Sequence, residues 1–296
     1  MNTKKKISSF LFLSFISFHL NAQNKDSVSS KPSDLASKKF YYQFGLSYNL
    51  SSGTGSFTNN VANKDGSSSK DYFLGSYGKG TGIFFSLGKK LNKNLGLEIE
   101  ACYLAGSKNK EKNQYYVTSS SIPYLDNQDQ TFKSNTIRFN PKIVFEIPFK
   151  KENAFYSKIG YLVGFGNGIR HSDEQFFLDN GQTGKGSYEW RLTGGMVSGS
   201  TMALGIRVKV EKNLSFFAEI SNNNTHRTFR KSTMIQATEN GTNVLDSRSV
   251  YSKETDYVDK ATYSAGAQDP NKPYQYPAYR SNYSSVGLRI GFIKHF

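Results

Sequence analysis

The chain has 296 residues, a formal net charge of +15, a hydrophobic fraction of 36% and an aromatic fraction of 15%. With 1 Cys it can form neither an internal disulfide nor a cysteine-based metal site, and its aromatic content is too high for a disordered chain. The basic residues are scattered among acidic ones, so the composition predicts no nucleic-acid partner.

Residues 1–22 have the pattern of a secretory signal peptide. A basic start from Lys4 to Lys6 precedes an apolar stretch of fourteen residues, Ile7 to Leu20. That stretch is shorter than the roughly 20 residues of a membrane-spanning helix. No Cys follows the cleavage region, which excludes a lipoprotein anchor. We therefore expect an exported chain that begins with a polar periplasmic tail at 23–38.

From Phe40 onward, large apolar residues alternate with small or polar ones. Phe40, Tyr42, Phe44 and Leu46 fall on one side of a strand, because successive side chains of a strand point to opposite faces. The same alternation recurs in seven more segments, at 82–88, 95–103, 137–147, 155–165, 201–210, 214–221 and 285–292. The chain is therefore predicted to be all-β.

Connection lengths decide between a soluble sandwich and a membrane barrel. Short turns at 89–94, 150–153 and 211–213 alternate with long polar loops at 50–79, 106–133, 166–197 and 222–284. This asymmetry is typical of outer-membrane barrels, and most segments supply the roughly 9 to 11 residues of a tilted spanning strand.

Because lipid cannot satisfy free backbone groups, such a sheet must close. We predict a closed antiparallel up-and-down transmembrane β-barrel of eight strands over 39–296. Both termini of the chain should lie on the short-turn side of this barrel. A further hairpin within 222–284 would make ten strands. Pro141 falls in the fourth segment and requires a bulge or a missing backbone bond.

The export signal, the eight alternating segments and the final strand together resemble the small outer-membrane barrels of Gram-negative bacteria. The nearest types are the OmpA transmembrane domain and the OmpX-like or "porin family" barrels. In such barrels a terminal aromatic residue acts as a signal to the barrel-assembly machinery. The matching residues are Leu288, Ile290, Phe292 and Phe296, whereas Lys294 departs from the expected apolar pattern.

The inward phase of the predicted barrel carries charges of both signs. Since an eight-stranded barrel is just wide enough to be filled by side chains, these charges should pair and plug the lumen. Glu98 and Glu100 could alternatively form a catalytic carboxylate pair, but a packed interior would admit no substrate. The predicted network comprises Glu98, Glu100, Arg138, Lys142, Glu146, Lys158, Arg207, Lys209, Glu219 and Arg289.

The long loops provide the predicted binding surface. Tyrosine offers a large contact area at small entropic cost, so an extracellular protein or glycan is a reasonable ligand class. The tyrosines of the last loop are Tyr251, Tyr257, Tyr263, Tyr274, Tyr276, Tyr279 and Tyr283. Basic residues at the loop roots, namely Lys79, Lys133 and Arg227, could contact lipopolysaccharide phosphates within the outer-membrane lipid.

The sequence predicts a non-enzymatic barrel with a structural or surface-binding role, without cofactor or metal. A narrow passive solute channel is one alternative. A lipid-modifying hydrolase is another, since His226 follows Ser221 and Asn222, although the close spacing of lipid A deacylase-like barrels is missing.

Overall fold

The computed structural model describes residues 39–53, 57–62, 67–73, 75–117, 124–149, 153–178, 181–261 and 268–296. The predicted signal peptide, the polar tail and Tyr263 lie outside these ranges. The elements are β1 (Phe40–Ser51), β2 (Phe57–Ala62), β3 (Ser68–Phe73), β4 (Gly80–Lys90), β5 (Leu95–Gly106), β6 (Asn109–Val117), β7 (Tyr124–Phe149), β8 (Asn153–Leu178), β9 (Thr183–Thr193), β10 (Val197–Glu211), β11 (Leu214–Thr228), β12 (Lys231–Glu239), β13 (Thr242–Asn243), α1 (Val250–Lys253), β14 (Glu254–Val258), β15 (Tyr274–Pro277), β16 (Arg280–Asn282) and β17 (Ser285–His295).

Eight strands form a closed antiparallel ring in the order β1, β4, β5, β7, β8, β10, β11 and β17. The ring closes because β17 pairs back onto β1, with Phe44 opposite Phe292 and Tyr48 opposite Leu288. Every alternating segment of the sequence supplies one of these strands. The prediction of an eight-stranded antiparallel barrel is therefore confirmed.

The large apolar side chains of the ring point outward, and the charged side chains point inward. Phe44 is 52% exposed and Leu288 is 57% exposed, whereas Glu98 and Arg207 are each only 4% exposed. A soluble sandwich would bury the large apolar residues instead. This orientation fits a cylinder whose outer face contacts hydrocarbon.

Pro141 is accommodated without a bulge. Its side chain is on the exposed face. Strands β7 and β8 pair up to Phe139 opposite Val163 and again from Lys142 opposite Gly160, so the register is unchanged across the gap. Because proline has no N–H, the ladder loses its pairing locally while the strand continues.

The long connections were predicted as loops, yet much of their length folds as strands. Strands β7 and β8 have 26 residues each and remain paired as far as Tyr124 opposite Leu178, well beyond what a membrane crossing requires. β6 adds to the outer part of β7, while β9, β12, β14 and β15 continue from the outer part of β8.

We call this extension, made of β6, β9, β12, β14, β15 and the outer parts of β7 and β8, the loop-end sheet. Its strands are mostly polar and bury only a few apolar side chains, such as Leu192 and Ala237, so the apolar alternation of the sequence did not predict it. The strands within 222–284 that follow β11 lie outside the ring, which excludes the ten-stranded alternative. Within the described part of the chain, no helix is long and apolar enough to span a membrane.

Candidate functional site: the lumen and the loop-end surface

Strand alternation places the predicted lumen charges on the inner face of the ring. β5 contributes Glu98 and Glu100, β7 contributes Lys142, and the facing strands β8, β11 and β17 contribute Lys158, Glu219 and Arg289. All six side chains are buried. The strands are tilted, so partners come from strands that are not always adjacent.

The six residues form one continuous cluster of ion pairs. Lys142 Nζ lies 2.6 Å from Glu100 Oε2 and 3.6 Å from Glu98 Oε1. Lys158 Nζ lies 3.1 Å from Glu98 Oε2 and 3.3 Å from Glu219 Oε2. Arg289 joins Glu219, at 2.7 Å between Nη1 and Oε1, and also contacts Glu100. Each carboxylate therefore has at least two cationic neighbours.

A second, smaller group lies toward the short-turn end. Arg207 Nη1 is 2.7 Å from Glu146 Oε1, and Lys90 Nζ is 3.0 Å from Glu146 Oε2. Lys90 was absent from the predicted network. It continues the inward phase of Gly82, Ser86 and Gly88, so extending the alternation by one step would have found it.

Aromatic side chains share the lumen with these charges. The Tyr41 hydroxyl donates to Glu98 Oε2 at 3.1 Å, and the Tyr156 hydroxyl donates to Glu219 Oε2 at 3.0 Å. The Arg289 guanidinium lies 3.7 Å from the ring centroid of Phe84. These contacts give Glu98 and Glu219 a hydroxyl donor each and place the Arg289 charge over an aromatic face.

Arg138 stands apart from the ion pairs, and Lys209 lies near the end of the lumen. Arg138 is buried, and its Nε donates to Thr136 Oγ1 at 2.9 Å, with no carboxylate of the described residues within 4.0 Å. Lys209 is only half-buried near the short-turn end, where its backbone N–H donates to Asn153 Oδ1 at 2.9 Å.

An aromatic cap closes the loop end of the lumen. Tyr77 stacks on Tyr283 with 5.2 Å between the ring centroids and meets Phe229 edge to face with 5.8 Å between the centroids. The Tyr283 hydroxyl donates to Ser134 Oγ at 2.9 Å on the opposite side of the ring. The buried members of the cap are Phe57, Tyr77, Leu162, Leu192, Val197, Phe229, Tyr257 and Tyr283.

The cap corrects two predictions about the last loop. Tyr283 and Tyr257 are core residues, because they pack into the cap instead of facing a partner. The prediction that Arg227 contacts lipopolysaccharide at the surface is also wrong. β11 extends to Thr228, so the inward phase of Ser221 continues through Thr225 to Arg227, whose side chain is buried.

The remaining described tyrosines of the last loop form a tyrosine cluster on the loop-end sheet. Ring centroids are 5.3 Å apart for Tyr251 and Tyr274, and 6.2 Å apart for Tyr274 and Tyr276. Buried Tyr257 supports both Tyr276 and Tyr279 at 6.3 and 5.6 Å. Tyr276 and Tyr279 are about half exposed and present the accessible face.

Tyr279, at the accessible edge of the tyrosine cluster, has a raised pKa. Burial, followed by electrostatic interaction with Tyr257, raises the pKa of Tyr279 to about 12. The Tyr279 hydroxyl is therefore an uncharged donor at neutral pH, suited to hydrogen bonding with a polar partner, while the ring faces of the cluster offer apolar contact.

The His226, Ser221 and Asn222 combination does not assemble into a catalytic site. Ser221 faces the lumen, where its hydroxyl donates to Gly287 O at 3.4 Å, while His226 and Asn222 are in the opposite phase of β11. Residues of opposite parity on a strand point to opposite faces. Among the described residues, no group of three or more His, Cys, Asp or Glu side chains is placed to hold a metal ion.

The predicted assembly-signal residues lie along the seam between β1 and β17. Phe292 packs against Phe44 with 5.8 Å between centroids, and Leu288 and Ile290 are exposed on the same face. The Phe296 backbone N–H donates to Phe40 O at 3.0 Å, and its ring stacks on Phe40 at 6.2 Å.

The sequence model of the outer membrane protein beta-barrel domain matches residues 10–250 of this chain. The chain belongs to that family. Outer membrane protein beta-barrel domains reside in the Gram-negative outer membrane, which confirms the predicted localisation and the resemblance to small outer-membrane barrels.

Solved structures of outer-membrane proteins are also similar to this family member. Ail, the attachment invasion locus protein of Yersinia pestis, is 9% identical, with 87% of this chain and 97% of Ail covered and a TM-score of 0.30. CarO2 of Acinetobacter baumannii is 10% identical, with coverages of 86% and 98% and a TM-score of 0.29. A deltaS2 mutant of the monoaromatic hydrocarbon channel TodX has 9% identity, coverages of 90% and 93% and a TM-score of 0.21. No curated protein matches the chain.

Proposed function

We propose that this outer-membrane barrel is a non-enzymatic surface-binding protein whose lumen is plugged and whose loop-end sheet makes the contacts. The observation that carries the proposal is the sheet itself. β7 and β8 extend far beyond a membrane crossing and support the tyrosine cluster above the ring. A barrel with only a structural role would not need this extension.

The plugged lumen is supported by two successive barriers. The ion-pair cluster around Glu100 and Glu219 occupies the middle of the ring, and the aromatic cap covers its loop end. Passage of a solute would require breaking buried ion pairs and separating packed rings, both of which are costly. A narrow channel is the competing function.

Planar-bilayer recording of the refolded full chain separates the two functions. We expect no reproducible single-channel steps from the wild type. Steps that recur in independent preparations would replace the plugged barrel by a passive channel.

The binding role is tested with proteoliposomes on arrays of glycans and purified extracellular proteins, the two ligand classes that suit tyrosine-rich surfaces. The double variant Tyr276→Ser and Tyr279→Ser should lose a signal that the wild type gives. The matched control is Tyr72→Ser, which changes an exposed tyrosine on β3, away from the cluster. Equal loss in the control, or no wild-type signal on either array, would refute the proposed surface.

The absence of enzymatic activity has its own test. Mass spectrometry of lipid A from cells with and without the protein should give the same spectrum. A mass difference that corresponds to a lost or gained acyl chain would establish a lipid-modifying activity instead.

Half-buried Lys79 and Lys133 at the loop roots are proposed contacts for lipopolysaccharide phosphates. The barrel-assembly machinery is the proposed partner during insertion.

A further inference from the structure

The buried charges of the described chain do not balance. Six buried cations face four buried carboxylates, a difference of two positive charges. The carboxylates are Glu98, Glu100, Glu146 and Glu219, and the cations are Arg138, Lys142, Lys158, Arg207, Arg227 and Arg289. Four of the cations pair with these glutamates. The two surplus cations are Arg138 and Arg227.

Arg138 is the less compensated of the two. Its side chain is 3% exposed, Nε donates to Thr136, and Nη2 has no hydrogen-bond partner among the described residues. Its neighbours across the ring wall are Cys102 and Gly164, neither of which carries a formal negative charge at neutral pH. Arginine cannot release its proton, so burial leaves a full positive charge.

The carboxylate that interacts with Arg138 is already paired with two other cations. Glu100 interacts electrostatically with Arg138, but it contacts both Lys142 and Arg289 directly. The other titratable groups that interact with Arg138 are Cys102 and Tyr283. Neither the thiol nor the phenol is ionised at neutral pH at its ordinary pKa.

Arg227 extends the positive region toward the cap. Its Nη2 donates to Gly166 O at 2.7 Å and to Gly194 O at 2.8 Å, while Nη1 has no hydrogen-bond partner in the described part of the chain. Carbonyl dipoles offset a guanidinium charge only in part. Tyr283 interacts electrostatically with both Arg227 and Arg138, so the two guanidinium groups share one region beneath the cap.

Enclosure makes this charge costly and limits what can neutralise it. Around Arg138, the side chains of Ser134 and Thr136 are fully buried, and Tyr283 of the cap covers them. An unpaired buried ion costs several kcal/mol. A counter-ion enclosed in this region would therefore have to be small, and a larger anionic solute would not fit.

We propose that the half of the lumen next to the cap binds a small anion of halide size at Arg138 Nη2, with Arg227 as the second cation of the site. The anion would be the missing counter-ion. Because it is bound only by the folded barrel, it would stabilise the fold by a free energy that increases with the logarithm of its concentration once that concentration exceeds Kd.

The test measures unfolding of the refolded full chain while bromide or chloride replaces gluconate at constant ionic strength. At a halide concentration of about ten times Kd, linkage increases the folding equilibrium constant about tenfold. We expect this increase in the wild type and its loss in Arg138→Met. Arg207→Met is the matched control. It removes a buried arginine that is paired with Glu146, so it should lower stability at every halide concentration yet keep the halide dependence.

Crystals of the wild type grown in bromide provide a second measurement that does not depend on a variant folding. An anomalous peak within hydrogen-bond distance of Arg138 Nη2 is expected. A wild type that does not respond to halide, an equal response in Arg138→Met, or bromide bound only at exposed lysines would overturn the proposal. None of these results bears on whether the tyrosine cluster binds a partner, so the two proposals fail separately.

Discussion

Lys158 Nζ lies 3.1 Å from Glu98 Oε2, although β8 and β5 are not neighbours in the ring. The same ammonium group lies 3.3 Å from Glu219 Oε2. A single side chain thus links strands on different sides of the barrel. Such a residue should contribute strongly to stability, because its loss would leave two buried carboxylates short of a cation.

Replacement of Lys158 by Met is expected to lower the free energy of unfolding by about 3–5 kcal/mol, as for other broken buried ion pairs. The measurement is the folded fraction on unboiled gels across a urea series. The matched control is Lys231→Met. Its partner Glu254 Oε2 is also close, at 2.6 Å, but both side chains are partly exposed to solvent, so the loss should stay below about 1 kcal/mol. Equal losses in the two variants would contradict this account of the lumen.

The outward face of the ring predicts a depth-dependent response to charge. Leu46 is at the middle of β1, whereas Val286 is at the loop end of β17. Leu46→Arg should lower stability in lipid by about 2–4 kcal/mol and Val286→Arg by about 0–1 kcal/mol. Refolding both variants into vesicles and comparing their urea midpoints checks this. A larger effect at Val286 would mean that the membrane contacts a different band of the cylinder.

The fold was predictable because lipid imposes a simple rule on each strand. Phe44, Leu46 and Tyr48 must face outward together, and a sheet in hydrocarbon must close. The partners inside were not predictable. Whether Lys158 meets Glu98 or Glu219 depends on strand tilt and stagger, which the sequence of one strand does not contain.

The cap and the loop-end sheet were missed for a different reason. Phe57 and Tyr77 come from the 50–79 connection and Phe229 from the 222–284 connection, and they have no period in common, so only the folded chain brings them together. The loop-end sheet buries only a few apolar side chains, such as Leu192 and Ala237, and its mostly polar strands do not repeat the long apolar alternation by which the ring was found. Arg227 shows the same limit, since its inward phase became visible only once β11 was seen to extend to Thr228.

The loop-end sheet also predicts an alkaline transition. The Tyr188 hydroxyl donates to Glu239 Oε1 at 3.0 Å, and burial together with this bond raises the pKa of Tyr188 to about 12. Its contribution to stability is present below the ordinary value near 10 and is lost as the pH rises from about 10 to about 12.

The absorbance at 295 nm of the wild type minus that of Tyr188→Phe isolates this titration. Glu239→Gln should move it down toward 10, because the amide carries no charge to oppose ionisation of the phenol. The difference spectrum of Glu239→Gln minus the Glu239→Gln, Tyr188→Phe double variant reports the shifted value. A transition near 10 already in the wild type would show that Tyr188 and Glu239 do not interact in solution.

A substitution of the terminal residue Phe296 distinguishes an effect on assembly in cells from an effect on intrinsic stability. The Phe296 backbone bond to Phe40 O persists whatever the side chain, and the ring is exposed at the end of the seam. We expect Phe296→Ser to refold in vitro almost as well as the wild type but to give several-fold less folded barrel in cells, because the side chain is the proposed signal to the assembly machinery. Phe165→Ser is the matched control, since Phe165 is a similarly exposed phenylalanine near the middle of β8. It should reach the membrane at the normal level; a matching deficit would show that the loss of apolar surface, and not its position at the end of the chain, limits assembly.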